Sequence, residues 1–400
     1  MSDKITRLIH HPYKPPADFE SPQPGIFKAS TVIFPNVAAL RERDWKNKSG
    51  YTYGLHGTPT TFLLEERLAT LEGGQQCLLA PSGLAAIANV CLALLSAGDE
   101  VLIPNNAYGP NKALAQGELA RWGITHQFYD PMNPADLQAR IGAQTRLVWL
   151  EAPGSVTMEF PNLVDLVRSC RQRGVTTVLD NTWGAGLAFH PFELAPGVAV
   201  DISVQALTKY PSGGGDVLMG SVITCDESLH TRLKQTHMRL GLGVGANDVE
   251  SVLRALPSMA LRYAAQDRAA RDLARWCLGR DEISQVLHPA LPGSPGHENW
   301  LALCGGEQGQ AAGLFSIIFD ARYSQVQVDA FCDALRLFRL GYSWGGPMSL
   351  VVPYEIMAIR ATRPAHLRAG ALVRFSLGLE HIEDLQADLA QALARMVSSA

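Results

Sequence analysis

The chain has 400 residues, 47% hydrophobic and 18% charged, with a formal net charge of −4. Such a chain can bury a sizeable core, and at this length two domains are the natural expectation. The absence of any basic run excludes a nucleic-acid surface, and no apolar stretch is long enough to span a bilayer.

Residues 1–60 read as an N-terminal arm lying on a neighbouring subunit. Pro12, Pro15, Pro16, Pro22 and Pro24 keep it extended, and only ALRERDW near Ala38 predicts a helical turn. From Thr61, FLLEERLATLEGG predicts an amphipathic helix stopped by glycines. QCLLA reads as a strand, and PSGLAAIANVCLALLSAG as a glycine turn opening an apolar helix. Strand EVLIPN, helix PNKALAQGELARWG, strand ITHQFY, a short helix from Pro134, strand RLVWLEAP and helix LVDLVRSCRQRG follow. TTVLD, DISVQAL and GSVITC close the pattern. This alternation predicts an α/β fold, a mainly parallel sheet with helices on both faces. A helical section runs from Glu227 to about Trp276, before the Pro/Gly-rich DEISQVLHPALPGSPGHENW. Strands GLFSIIF, SLVVPY and LVRFSLG, with helices VQVDAFCDALRLF and IEDLQADLAQALARMV, predict a smaller C-terminal α+β domain. The expected division is an arm at 1–60, a large domain at 61–260 and the smaller domain at 261–400. Cys77, Cys91, Cys170, Cys225, Cys277, Cys304 and Cys332 are scattered without CxxC spacing, so buried free thiols are expected rather than disulfides or zinc ligands. With no apolar signal core at the N-terminus, the chain reads as cytoplasmic.

Ligands of α/β sheets sit at the carboxyl ends of the strands. TTVLD ends on Asp180, and DISVQAL leads into Thr208, Lys209 and Tyr210. A lysine and an acid facing one crevice suit pyridoxal phosphate chemistry: the amine bonds the aldehyde, and the acid keeps the pyridine nitrogen protonated. Lysine is scarce and none follows Lys234. Lys112 falls early on an amphipathic helix and reads as solvent-facing, so Lys209 is the candidate, against the reading of a surface lysine at a strand end. PSGLAA places a glycine turn at a helix start, where free N–H groups and the helix dipole suit a phosphate. Tyr108 could stack on a ring or simply pack at the rim, and Asp180 could cap the following turn. Arg374 sits in an otherwise apolar strand, as a clamp for an α-carboxylate or as half of a structural ion pair.

Together these residues resemble the Cys/Met-metabolism family of pyridoxal phosphate enzymes (fold type I), over nearly the whole chain from ASTVIFP to LVRFSLGLE. Within that family EAPGSVTM (151–158), DNTWGAG (180–186), VQALTKY (204–210), HPALPGSPGHENW (288–300) and YSWGG (342–346) look most like the bacterial cystathionine β-lyases. The resemblance implies that Lys209 bonds the cofactor and Asp180 pairs with its pyridine nitrogen, while Tyr108 stacks on the ring. It further implies that Gly83, Leu84 and Thr208 hold the phosphate, and that Arg374, Ser343 and Trp344 bind a sulfur amino acid. Tyr53 matches a tyrosine that reaches into the neighbouring subunit's site, so a homotetramer of two dimers with shared sites is implied. The chain departs from the family at Leu55, where an arginine usually meets the phosphate, at Ala206, where a serine is usual, and at Gly213-Gly214-Gly215-Asp216 in place of GHSD. Leu55→Arg is accordingly expected to tighten cofactor binding, read as a lower dissociation constant on titration of the cofactor-free protein. Other members of the family, and a cofactor-binding regulatory protein, remain as rival readings.

Overall fold

The computed structural model describes residues 3–12, 17–19, 21–45, 48 and 50–398. Helices α1 (Lys4–Ile9), α2 (Val37–Arg41) and α3 (Pro59–Glu72) precede the first sheet. Then come β1 (Gln76–Ala80), α4 (Gly83–Leu94), β2 (Glu100–Pro104), α5 (Gly109–Leu114), β3 (Thr125–Tyr129) and α6 (Pro134–Arg140). They are followed by β4 (Thr145–Glu151), α7 (Leu163–Gln172), β5 (Thr176–Asp180), β6 (Ile202–Ala206) and β7 (Gly220–Thr224). Helices α8 (Glu227–Leu240), α9 (Ala246–Ala255) and α10 (Met259–Leu278) lead to β8 (Ile283–Leu287), α11 (His297–Leu303), β9 (Leu314–Phe319) and α12 (Gln325–Ala334). The chain closes with β10 (Arg339–Leu340), β11 (Leu350–Tyr354), α13 (Ile356–Ile359), β12 (Leu372–Ser376) and α14 (Ile382–Ser398).

The first sheet has the order β1-β7-β6-β5-β4-β2-β3. Strands β3, β2, β4, β5 and β6 pair in parallel, and only β7 runs against its neighbours β6 and β1. The parallel run brings the carboxyl ends of β4, β5 and β6 to one edge. Those strands are buried on both faces, so their side chains are enclosed whichever way they point, the polar Ser203 and Gln205 of β6 included. The second sheet, β10-β11-β12-β9-β8, is antiparallel apart from β10 with β11. The α/β architecture with a mainly parallel sheet and a second, smaller sheet agrees with the expectation from sequence.

Three local expectations need correction. The start of the chain is helical and lies on its own chain: Leu8 of α1 is 1% exposed, and Lys4 Nζ donates to the carbonyls of Gly186 (2.7 Å) and Leu187 (3.1 Å). Pro15 and Pro16 lie outside the described residues. Helix α3 is not amphipathic. It has a capping box between Thr58 and Thr61 and a left-handed Gly73 at its end, yet Glu65, Arg67 and Glu72 are buried along with its leucines. It is enclosed by α1, α9, β1 and β7, so its charges need internal partners: Lys48 meets Glu65 at 2.7 Å, and Asn181 and Gln205 both donate to Glu72 at 2.5 Å. The Pro/Gly-rich stretch near 283 contains β8, whose Ser284 and Gln285 hydrogen-bond to backbone at Ile318 and His366. Its polar edge positions hid the strand. Among the described residues no helix is long and apolar enough to cross a membrane.

Candidate active site

The floor of the site is made by the ends of β4 and β5, where Glu151 is the register partner of Asp180. Burial raises both carboxyls, and the neighbouring Asp180 charge raises Glu151 further. Hydrogen bonds from Thr182 and the charge of Lys209 pull Asp180 back, so the pair's proton rests on Glu151 and the charge on Asp180. Glu151 also accepts the N–H groups of Tyr108 (2.8 Å) and Ser155 (3.1 Å). One carboxyl thus fixes both the residue that caps α5 and the turn after β4. Asp180 accepts the N–H of Thr182 at 3.0 Å, a turn contact rather than a helix cap, since turns follow it.

Beyond β6 the chain turns, and Lys209 enters the same crevice. Its Nζ donates to Ser343 Oγ at 2.9 Å and lies 4.7 Å from the Trp344 ring centroid. The loop carrying both residues presses on the lysine's own backbone: Gly345 has φ +76°, and a Cβ there would come within 2.9 Å of the Lys209 carbonyl carbon. Burial, reinforced by the Arg374 charge, lowers the Lys209 amine to about 8. This is not a solvated lysine at a strand end.

Helix α4 begins beside these groups. Ser82 caps it by accepting the Ala85 N–H at 3.0 Å, while the N–H groups of Gly83 and Leu84 open the helix with no intrahelical acceptor. The helix start approaches β6 so closely that a Cβ on Gly83 would lie 2.7 Å from Ala206 Cβ. Gly83→Ala is therefore expected to push the helix start away and weaken cofactor binding at least about tenfold, read by cofactor titration; this scales with one lost charge-assisted hydrogen bond. Thr208 Oγ1 faces the same space while sharing the Met219 backbone, accepting its N–H at 3.3 Å. Gly83, Leu84, Tyr108, Asp180, Thr208, Lys209 and Trp344 all line one inner cavity of about 160 Å³.

An outer cavity of about 950 Å³ shares Tyr108, Ser155 and Trp344 with the inner one and adds Arg374. Arg374 is 3% exposed, and among the described residues no carboxylate pairs with it. Its Nη1 donates to the Ser155 carbonyl at 2.9 Å, and its guanidinium lies 5.1 Å from the Trp344 ring and 5.3 Å from that of Tyr354. Tyr53 lies outside both cavities of its own chain, 46% exposed. Leu55 stands with His56, Lys234 and His237 around a separate cavity of about 20 Å³. Lys112 is a further correction: its Nζ donates to the carbonyls of Asn105 (3.1 Å) and Ile359 (2.6 Å) in the wall of the outer cavity, because the end of α13 and the residues after it line the cavity beside the helix face that read as solvated. Sequence reasoning also passed over Glu151, although it carries the same signal as Asp180, a carboxylate at the tip of a buried strand.

The donors suit a group with a phosphate, a flat ring and an aldehyde. Helix N–H groups with no intrahelical acceptor would meet the phosphate, Tyr108 and Trp344 the ring, Asp180 its nitrogen and Lys209 the aldehyde. Fold and site together define a pyridoxal phosphate enzyme of fold type I. The chain belongs to the Cys/Met metabolism PLP-dependent enzyme family, which it matches over residues 5–394, and its cofactor is pyridoxal phosphate. It is 38% identical over 403 residues to cystathionine β-lyase of Bordetella avium, covering 98% of each chain. It is 35% identical over 379 residues to cystathionine β-lyase MetC of Escherichia coli K12, covering 93% of each. Among solved structures, cystathionine γ-synthase from Xanthomonas oryzae pv. oryzae, in complex with aminoacrylate and cysteine, matches with a TM-score of 0.88 at 27% identity over 100% of both chains. The enzyme therefore acts in carbon–sulfur chemistry.

Proposed function

We propose that the enzyme is a cystathionine β-lyase, cleaving L-cystathionine with water to homocysteine, pyruvate and ammonia. The observation that carries this reading is the Lys209 amine held at 2.9 Å by Ser343 in a cavity shared with Asp180 and Trp344, in a chain 38% identical to a cystathionine β-lyase. When bound, pyridoxal phosphate supplies an electron-poor ring that takes up the electron pair left at Cα. Arg374 would hold the substrate α-carboxylate in a bidentate grip, fixing the Cα–H bond toward Lys209. Lys209, part neutral near pH 8, removes the α-proton, and the Ser343 hydroxyl keeps the amine from swinging away. Asp180 would offer its charge to the ring nitrogen, while Glu151, protonated, adds no second charge to the floor. The Cβ–S bond then breaks with its electron pair on sulfur. Burial and the Asp180 charge raise the Tyr108 hydroxyl, so it stays protonated as a donor to the departing thiolate. Trp183, buried in the wall, and Trp344 keep bulk water from the reacting carbon.

Under this reading the protein works in the cytoplasm as a homotetramer of two dimers, with Tyr53 of each chain completing its neighbour's site. The exposed Tyr53 ring supports that arrangement. The likeness to a γ-synthase favours one rival, replacement or elimination at Cγ. Incubation with L-cystathionine and analysis of the oxo acid separates the two: pyruvate is expected, and 2-oxobutyrate would overturn the β-elimination reading. Absence of either product from every thioether amino acid would point instead to a cofactor-binding regulatory protein.

A further inference from the structure

The outer cavity is electrostatically one-sided. Lys112, Arg140, Arg360 and Arg374 line it, and no Asp or Glu does. Two of these cations are already spoken for: Arg140 pairs with Asp136 and Arg360 with buried Glu159. Arg374 and Lys112 have no carboxylate partner among the described residues. The first is assigned above to the substrate's α-carboxylate, which leaves Lys112.

Lys112 is placed to be read by a ligand. It lies four residues after Tyr108, the residue that caps α5, and it lines the outer cavity alone, whereas Tyr108 lines both cavities. Its stem is held, with Nζ 5.9 Å from the Phe128 ring centroid and two of its three donors given to the carbonyls of Asn105 and Ile359. A held, half-buried ammonium with one free donor and no ion-pair partner among the described residues is suited to receive a carboxylate. Because Lys112 lines the outer cavity and not the inner one, a substituent on sulfur would reach it before the amino acid's own backbone could.

Resting on the lyase reading of the inner site, we propose that Lys112 receives a carboxylate at the far end of the sulfur substituent. The preferred substrates are then S-substituted L-cysteines whose substituent ends in an acid and carries no second amine. L-Cystathionine meets Lys112 with its distal carboxylate, but its distal ammonium finds no acid in the cavity wall.

The test compares S-(2-carboxyethyl)-L-cysteine with its terminal amide, S-(2-carbamoylethyl)-L-cysteine, on the holoenzyme. The acid should show kcat/KM about tenfold above the amide, the range of one charged hydrogen bond. Lys112→Met should bring the ratio to about one, and Lys112→Arg, which keeps the charge, should retain most of it. Equal rates in the wild type, or an unchanged ratio in Lys112→Met, would overturn the proposal. The α-methyl derivatives of both compounds cannot lose an α-proton, so their dissociation constants report Lys112 without any turnover. A tenfold tighter α-methyl acid that loses its advantage in Lys112→Met supports the subsite even if no thioether yields pyruvate; equal affinities refute it whatever the reaction proves to be.

Discussion

Lys209→Ala is expected to abolish cleavage of L-cystathionine, by at least about 10⁴-fold, while the protein stays folded. The expected loss is large because, under the proposed mechanism, one amine would serve twice, as the anchor of the cofactor aldehyde and as the base at Cα. The fold should survive for an electrostatic reason. The amine is lowered from 10.5 to about 8, so the folded chain binds its proton more weakly than the unfolded chain does. A lysine shifted in that direction costs stability below pH 8 and progressively less as pH rises toward 10.5. Removing it should leave the melting temperature at pH 7 unchanged or raised. The same shift predicts how the cofactor-free wild type takes up pyridoxal phosphate. The rate should climb with pH and level off near 8, whereas an ordinary lysine would keep climbing to 10.5. Borohydride reduction followed by peptide mapping checks the assignment directly. A pyridoxyl tag on a peptide lacking residue 209 would end this account of the site.

Asp180→Asn is the second severe change, with turnover expected to fall about 10²- to 10³-fold. Asparagine keeps the oxygen that accepts the Thr182 N–H, so the turn after β5 should hold and only the charge is lost. The neighbouring carboxyl then responds. Burial is the larger cause of the raised Glu151 and the Asp180 charge the second, so removing that charge lets Glu151 ionise at lower pH. Residual activity in Asp180→Asn should therefore rise with pH as Glu151 supplies a substitute charge. Adding Glu151→Gln should remove that rise. A single variant within tenfold of wild type, or a pH-independent residue of activity, would show that the floor of the site works otherwise.

Lys209 and Asp180 were legible because Asp180 ends the short β-branched and apolar run TTVLD and Lys209 comes just after DISVQAL, and such strands in an α/β chain end at the ligand edge. Glu151 carried the same signal at the end of RLVWLE and was passed over. Lys112 was misread for a different reason. Its helix pattern is amphipathic, but one of the two carbonyls that accept its hydrogen bonds belongs to Ile359, 247 residues later. Helix α3 was misread likewise, since nothing in FLLEERLATLEGG tells that packing will enclose its polar side as well.

A buried knot at Glu159 shows how the rest was decided. Arg360 and His366 donate to that carboxylate, as do Asn106 and Thr157. Burial opposes its charge, but the hydrogen bonds from His366 and Arg360 prevail and hold it down to about 2. This network ties the segment around α13 over the sheet edge and so forms one wall of the outer cavity. The sequence alone determined the parallel sheet, its strand ends, the capped start of α4 and the family. Those follow from periodicities and caps that act over a few residues. The tertiary structure decided which side chains meet: Arg374 beside Lys209, Ser343 on its amine, Lys112 inside a cavity rather than in solvent. Such meetings depend on packing between segments far apart in the chain, and no local pattern encodes that distance.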